Sequence, residues 1–124
     1  EQNLKQILTH PLCVVMSDGL YVSGRPHPRL YGSFPTLLGD ICRERRWLTL
    51  PEAVHKITQM PAQRFGLSRR GLIAPGAVAD LVVFDPDTVG SRATYEAPER
   101  PPDGISMVFH EGRPTVPLPL HSAV

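Results

Sequence analysis

The sequence lacks any apolar run long enough to cross a bilayer, so no α-helical membrane span is expected. It also lacks a dominant sign of charge. Thirteen basic residues stand against 12 acidic ones, and the net +1 gives no electrostatic footprint for nucleic acid. The first ten residues carry charged and polar groups in place of an apolar stretch. No secretory leader is therefore expected, and a soluble, cytoplasmic setting follows. Cysteine is scarce: Cys13 and Cys42 are the only two, and both read as small buried hydrophobes, not as a disulfide pair. Cys-x-x-Cys, a glycine-rich phosphate loop and Gly-x-Ser-x-Gly are all missing. His10, His55, His110 and His121 share no metal-ligand spacing, so they read as structural or incidental.

Proline and glycine are plentiful, at 14 and 10 of 124 residues, and are spread without a period. That pattern predicts many turns and few long helices. Glu1 to Leu8 reads as a short helix with Leu4, Ile7 and Leu8 on one face. Pro11 stops it, because His10 before a proline is pushed out of the helical region. Leu12 to Met16 is an unalternating apolar run, expected of a strand buried on both faces of a parallel sheet. It ends in Ser17, Asp18 and Gly19. A long loop is expected from Leu20 to about Gly32.

Phe34 to Arg46 reads as a helix with Leu37, Leu38, Ile41 and Cys42 as its stripe, and Arg43, Arg45 and Arg46 as a solvated basic end. Thr49 to Met60 reads as a second helix, with Thr49 as N-cap and Leu50, Val54, Ile57 and Met60 inward. Pro61 to Phe65 reads as a third, closed by Gly66. Strands are expected at Ala79–Asp85, Ile105–His110 and Arg113–Val116, with a turn at Glu111-Gly112 and a polar, proline-rich excursion before Ile105. The tail from Pro117 is expected to be loose. The chain thus divides into residues 1–70 and residues 71–124. Neither half closes a fold alone, because a lone buried strand needs parallel neighbours. The sequence begins at Glu1 without an initiator methionine, as expected of a processed or excised piece.

Asp18 is the strongest candidate for chemistry. A carboxylate directly after a buried strand stands where parallel barrels place their active sites, and it can bind a metal or move a proton. The competing reading is that Asp18-Gly19 only organises a turn. His27 and Arg29 lie in Arg25-Pro26-His27-Pro28-Arg29, where two prolines stiffen the backbone. An arginine there can grip a carboxylate with two parallel hydrogen bonds. The alternative is a stiff surface loop with exposed polar side chains.

Met16-Ser17-Asp18-Gly19, Arg25-Pro26-His27-Pro28-Arg29 and Tyr31-Gly32-Ser33-Phe34-Pro35, in that order and spacing, resemble the last barrel strand and following loop of N-acyl-D-amino-acid deacylases. Gly71 to Gly76 and Ala79 to Asp85 resemble a stretch shared across the wider amidohydrolase superfamily. The resemblance spans about residues 1–113. It implies an α/β fold: the C-terminal fragment of a (β/α)8 barrel in residues 1–70, and part of a small β-sandwich in residues 71–124. It also implies hydrolysis of an N-acyl-D-amino acid by zinc-bound water. Asp18 would then be the catalytic carboxylate at the metal, and Arg29 with His27 would contact the substrate. The family's other zinc ligands, a His-x-His pair, a cysteine and two further histidines, have no counterpart in this sequence. The isolated chain is therefore expected to be inactive, with the rest of the barrel as its missing partner. Two other readings stand beside this one: a non-catalytic remnant acting as an interaction fragment, and a dihydroorotase- or hydantoinase-like enzyme. The Pro-His-Pro-Arg loop favours the deacylase over the latter.

Overall fold

The computed structural model describes residues 1–22 and 24–116. The expected loose tail from Pro117, with His121, lies outside the described residues. The order of elements is helix α1 (Gln2–Thr9), strands β1 (Tyr21–Val22) and β2 (Arg25–Pro26), helix α2 (Arg29–Thr36), a π-helical segment (Leu37–Glu44), helices α3 (Leu50–Ile57) and α4 (Gln59–Arg64), and strands β3 (Leu81–Phe84), β4 (Ile105–His110) and β5 (Arg113–Val116). β3, β4 and β5 form an antiparallel sheet in that order.

The apolar stripe of the π-helical segment forms the core. Leu37, Leu38, Ile41 and Cys42 are all buried there, with Leu48 and Ala53. First-half residues such as Leu8, Val15 and Val54 pack against it, and the second half of the chain adds Val89, with no exposure, and half-buried Phe84 and Ile105. Gly39 permits this approach. A Cβ there would stand 2.5 Å from the Val89 carbonyl oxygen. Arg43 completes the joint by donating to the carbonyls of Val89 at 2.7 Å and Pro86 at 3.2 Å. The basic cluster is therefore not simply solvated. Arg43 crosses to the other half, while Arg45 pairs with Asp40 and Glu1 and lies over Trp47.

Three expectations are corrected. Leu12–Met16 is not a strand among the described residues, and Leu12 and Met16 are 80% and 71% exposed. A strand exists only through its ladder, and no described segment pairs with this one. The expected loop from Leu20 to Gly32 instead holds the β1–β2 hairpin, with Tyr21 opposite Pro26, and the start of α2. Pro28 precedes that helix with a φ already suited to it, which is a local start signal. The single helix expected over Thr49–Met60 breaks at Thr58 (φ −127°, ψ −88°). Pro61 has no N–H to offer the Ile57 carbonyl, so the helical ladder cannot run through.

The helix ends follow their local chemistry. Thr49 and Glu52 form a reciprocal capping box: Thr49 N–H donates to Glu52 Oε2 at 2.7 Å, and Glu52 N–H donates to Thr49 Oγ1 at 3.4 Å. At the end of α4, Gly66 (φ +68°) and Leu67 donate to the carbonyls of Gln63 and Ala62, a Schellman motif. The expected β4–β5 turn forms at Glu111 and Gly112, both at positive φ, which suits the twist of a two-residue hairpin.

Candidate functional site

The segment that carries Asp18 is anchored from below by a buried cation. Lys56, 6% exposed on α3, donates through Nζ to the carbonyls of His10 at 2.6 Å and Cys13 at 3.0 Å. The Val15 N–H returns a bond to the Lys56 carbonyl at 3.2 Å. Beyond this tether the chain turns sharply. Asp18 sits at φ +46°, a left-handed conformation that aspartate tolerates better than most residues. Gly19 follows, against Leu30, where a Cβ would meet the Leu30 Cα at 2.6 Å.

This turn brings the three expected site residues together. Arg29, the first residue of α2, places Nη2 3.0 Å from Asp18 Oδ2. Its backbone N–H donates to His27 Nδ1 at 3.1 Å. That nitrogen therefore carries a lone pair, and the neutral ring bears its proton on Nε2, 3.2 Å from the Tyr95 hydroxyl. A depression of about 460 Å³ opens here, lined among others by Leu20, His27, Arg29 and Tyr95.

Tyr95 belongs to the polar, proline-rich excursion between β3 and β4. In the structure that excursion is strapped across the hairpin. Arg25 donates to the carbonyls of Tyr95 at 3.1 Å and Glu96 at 2.9 Å. The Tyr21 hydroxyl donates to Glu99 at 2.6 Å and lies 3.0 Å from the Tyr31 hydroxyl. The Glu99 carboxylate, and then Tyr31, hold the Tyr21 phenol above its ordinary pKa. Gly32 lets the strap pass close over α2, since a Cβ there would meet Ser91 Oγ at 2.5 Å. The available signal was compositional: three tyrosines and an arginine clustered at positions 21, 25, 31 and 95, but 70 residues of sequence separate the partners.

Among the described residues, the remaining histidines take no part in the site. His55 is exposed on α3, and His110 contacts Asp80 at 3.1 Å beside the Arg70–Asp80 pair. His10 accepts from the Leu12 N–H at 3.2 Å. Among the described residues no group of three or more histidine, cysteine, aspartate or glutamate side chains could hold a metal ion. Asp18, 65% exposed, fits as a single oxygen donor, and the described chain does not complete a metal centre. No helix among the described residues is long and apolar enough to cross a membrane.

Comparison with known proteins decides the family. The amidohydrolase family profile matches residues 2–116. The chain belongs to the amidohydrolase family. N-acyl-D-glutamate deacylase of Alcaligenes xylosoxydans xylosoxydans is 50% identical over 112 residues, covering 90% of this chain and 23% of that protein. D-aminoacylase of the same organism is 45% identical over 114 residues, covering 92% and 24%. The crystal structure of N-acyl-D-glutamate deacylase from Bordetella bronchiseptica, complexed with zinc and a phosphonate that mimics the tetrahedral intermediate, superposes with a TM-score of 0.90. It is 49% identical and is matched over 95% of this chain and 25% of its own. This amidohydrolase chain thus spans about a quarter of the length of the relatives it matches. The mixed helix-and-sheet arrangement described above is the one those amidohydrolases share over this span.

Proposed function

We propose that this chain is the C-terminal quarter of a metal-dependent deacylase that hydrolyses the amide of an N-acyl-D-amino acid to a carboxylate and the free D-amino acid. One observation carries the reading: Asp18 meets Arg29 at 3.0 Å, and Arg29 in turn lines an open depression. A carboxylate so placed can take the proton of an attacking water and pass it to the leaving amine nitrogen. The neighbouring guanidinium matches the α-carboxylate of the substrate with two parallel hydrogen bonds. Substrate binding would draw Arg29 off Asp18 and free the carboxylate for proton transfer. Identities of 43–50% to three deacylases support the substrate class.

Zinc is the cofactor in this reading, and most of its ligands belong to polypeptide outside this chain. Bound zinc would supply a water acidified to a pKa of about 7. In this reading residues 1–70 belong to the last βα portion of a (β/α)8 barrel, and residues 71–124 belong to a small β-sandwich. The rest of the barrel covers the apolar groove between α1 and the Val15–Met16 segment, where Leu4 and Met16 are 50% and 71% exposed. The 124 residues alone are inactive.

The test is Asp18→Asn in the complete enzyme, assayed on N-acetyl-D-amino acids. Turnover is expected to fall by at least about 100-fold with the fold intact by circular dichroism. Near-normal turnover would remove Asp18 from the mechanism and overturn the reading.

A further inference from the structure

We propose that Tyr95 is a positioning residue for the substrate carboxylate, acting through His27 on Arg29. The proposal rests on the deacylase reading above. Its geometry is a short relay. The Arg29 N–H donates to His27 Nδ1 at 3.1 Å, and His27 Nε2–H faces the Tyr95 hydroxyl at 3.2 Å. The two rings meet edge to face, with centroids 5.1 Å apart and planes at 81°. Pro26 and Pro28 fix the backbone on either side of His27, so the imidazole is the soft element of the loop. A ring held only at Nδ1 can turn about its terminal torsion, which is broad for histidine. The Tyr95 hydroxyl removes that freedom by holding Nε2, while the Arg29 N–H sets the tautomer at Nδ1.

Two features argue against a purely architectural role. Tyr95 is 71% exposed and contributes little to the core. Its main chain is already fastened by Arg25, whose bond to the Tyr95 carbonyl does not involve the phenol. The ring and hydroxyl are thus left to face the depression shared with His27 and Arg29. The strap from the second half of the chain contributes one side chain to a binding loop in the first half.

The test uses the complete enzyme and two substrates, an N-acetyl-D-amino acid and the matching N-acetyl amine that lacks the α-carboxylate. Tyr95→Phe keeps the ring and loses the hydroxyl. It is expected to raise KM for the amino-acid substrate by about fivefold with kcat changed less than about twofold, since the lost grip acts equally on ground and transition states. On the amine the variant should match wild type. His27→Gln should show the same KM effect, and the double variant should be no worse than either single one. An unchanged KM in Tyr95→Phe, alongside a raised KM in Arg29→Lys, would overturn the inference and leave the deacylase reading standing. Equal losses on both substrates would also overturn it, as the mark of a structural defect. A complete enzyme that hydrolyses no N-acyl-D-amino acid would overturn the deacylase reading and this inference with it.

Discussion

Arg29 Nη2 lies 3.0 Å from Asp18 Oδ2, so the cation and the carboxylate to which we assign substrate binding and proton transfer neutralise each other. Both side chains are substantially exposed, at 42% and 65%, and such a pair contributes little to stability. In the proposed reaction its value would be functional: a substrate carboxylate would compete with Asp18 for one guanidinium.

Arg29→Lys in the complete enzyme keeps the charge but loses the planar fork. KM is expected to rise about tenfold, with kcat close to wild type and no change in melting temperature. Steady-state kinetics check this. A normal KM would place the carboxylate contact elsewhere.

Lys56→Met tests the tether beneath the site. The change keeps the aliphatic stem and leaves the His10 and Cys13 carbonyls without their charged donor. Urea unfolding should show a loss of about 2–3 kcal/mol. An unaltered midpoint would show that water replaces the ammonium at no cost.

Glu52 gives a pH-dependent contribution of known sign. Bonds from the Thr49 side chain, and then from its backbone, hold the Glu52 carboxyl below its ordinary value of 4.5. A carboxyl with a depressed folded-state value stabilises the fold above its unfolded-state value. That contribution disappears as the pH falls through the folded-state value. Glu52→Gln should therefore be less stable than wild type at neutral pH, and the difference should shrink below about pH 4.5. Thr49→Ala, which removes the other half of the box, should cost about 1 kcal/mol. A stability difference independent of pH would show that the carboxylate charge is not involved.

Much of the local structure was legible in the sequence because its causes are local. The Thr49 N-cap, the Gly66 helix end, the Glu111-Gly112 turn and the β4 strand each depend on a few adjacent residues. The Asp18–Arg29 neighbourhood was legible too, through an ordered set of motifs within 20 residues. What escaped was long-range. Leu12–Met16 reads as a buried strand because its composition is that of one, but burial and ladder depend on partners no described residue supplies. The Thr58 break needed Pro61 to be weighed against the stripe running through it. Val89 is one apolar residue in a polar stretch, and nothing around it announces that it fills the core between two halves. Tyr95 reaches His27 across 68 positions.

Arg25 clasps the strap by main-chain oxygens, at Tyr95 and Glu96. Every amino acid presents the same carbonyl, so the clasp is blind to what those two positions carry. Attachment and chemistry are thereby separated. Residues 95 and 96 are free to be exchanged for others without unfastening the strap, and the wall facing the depression can be rewritten while its fastening stays in place.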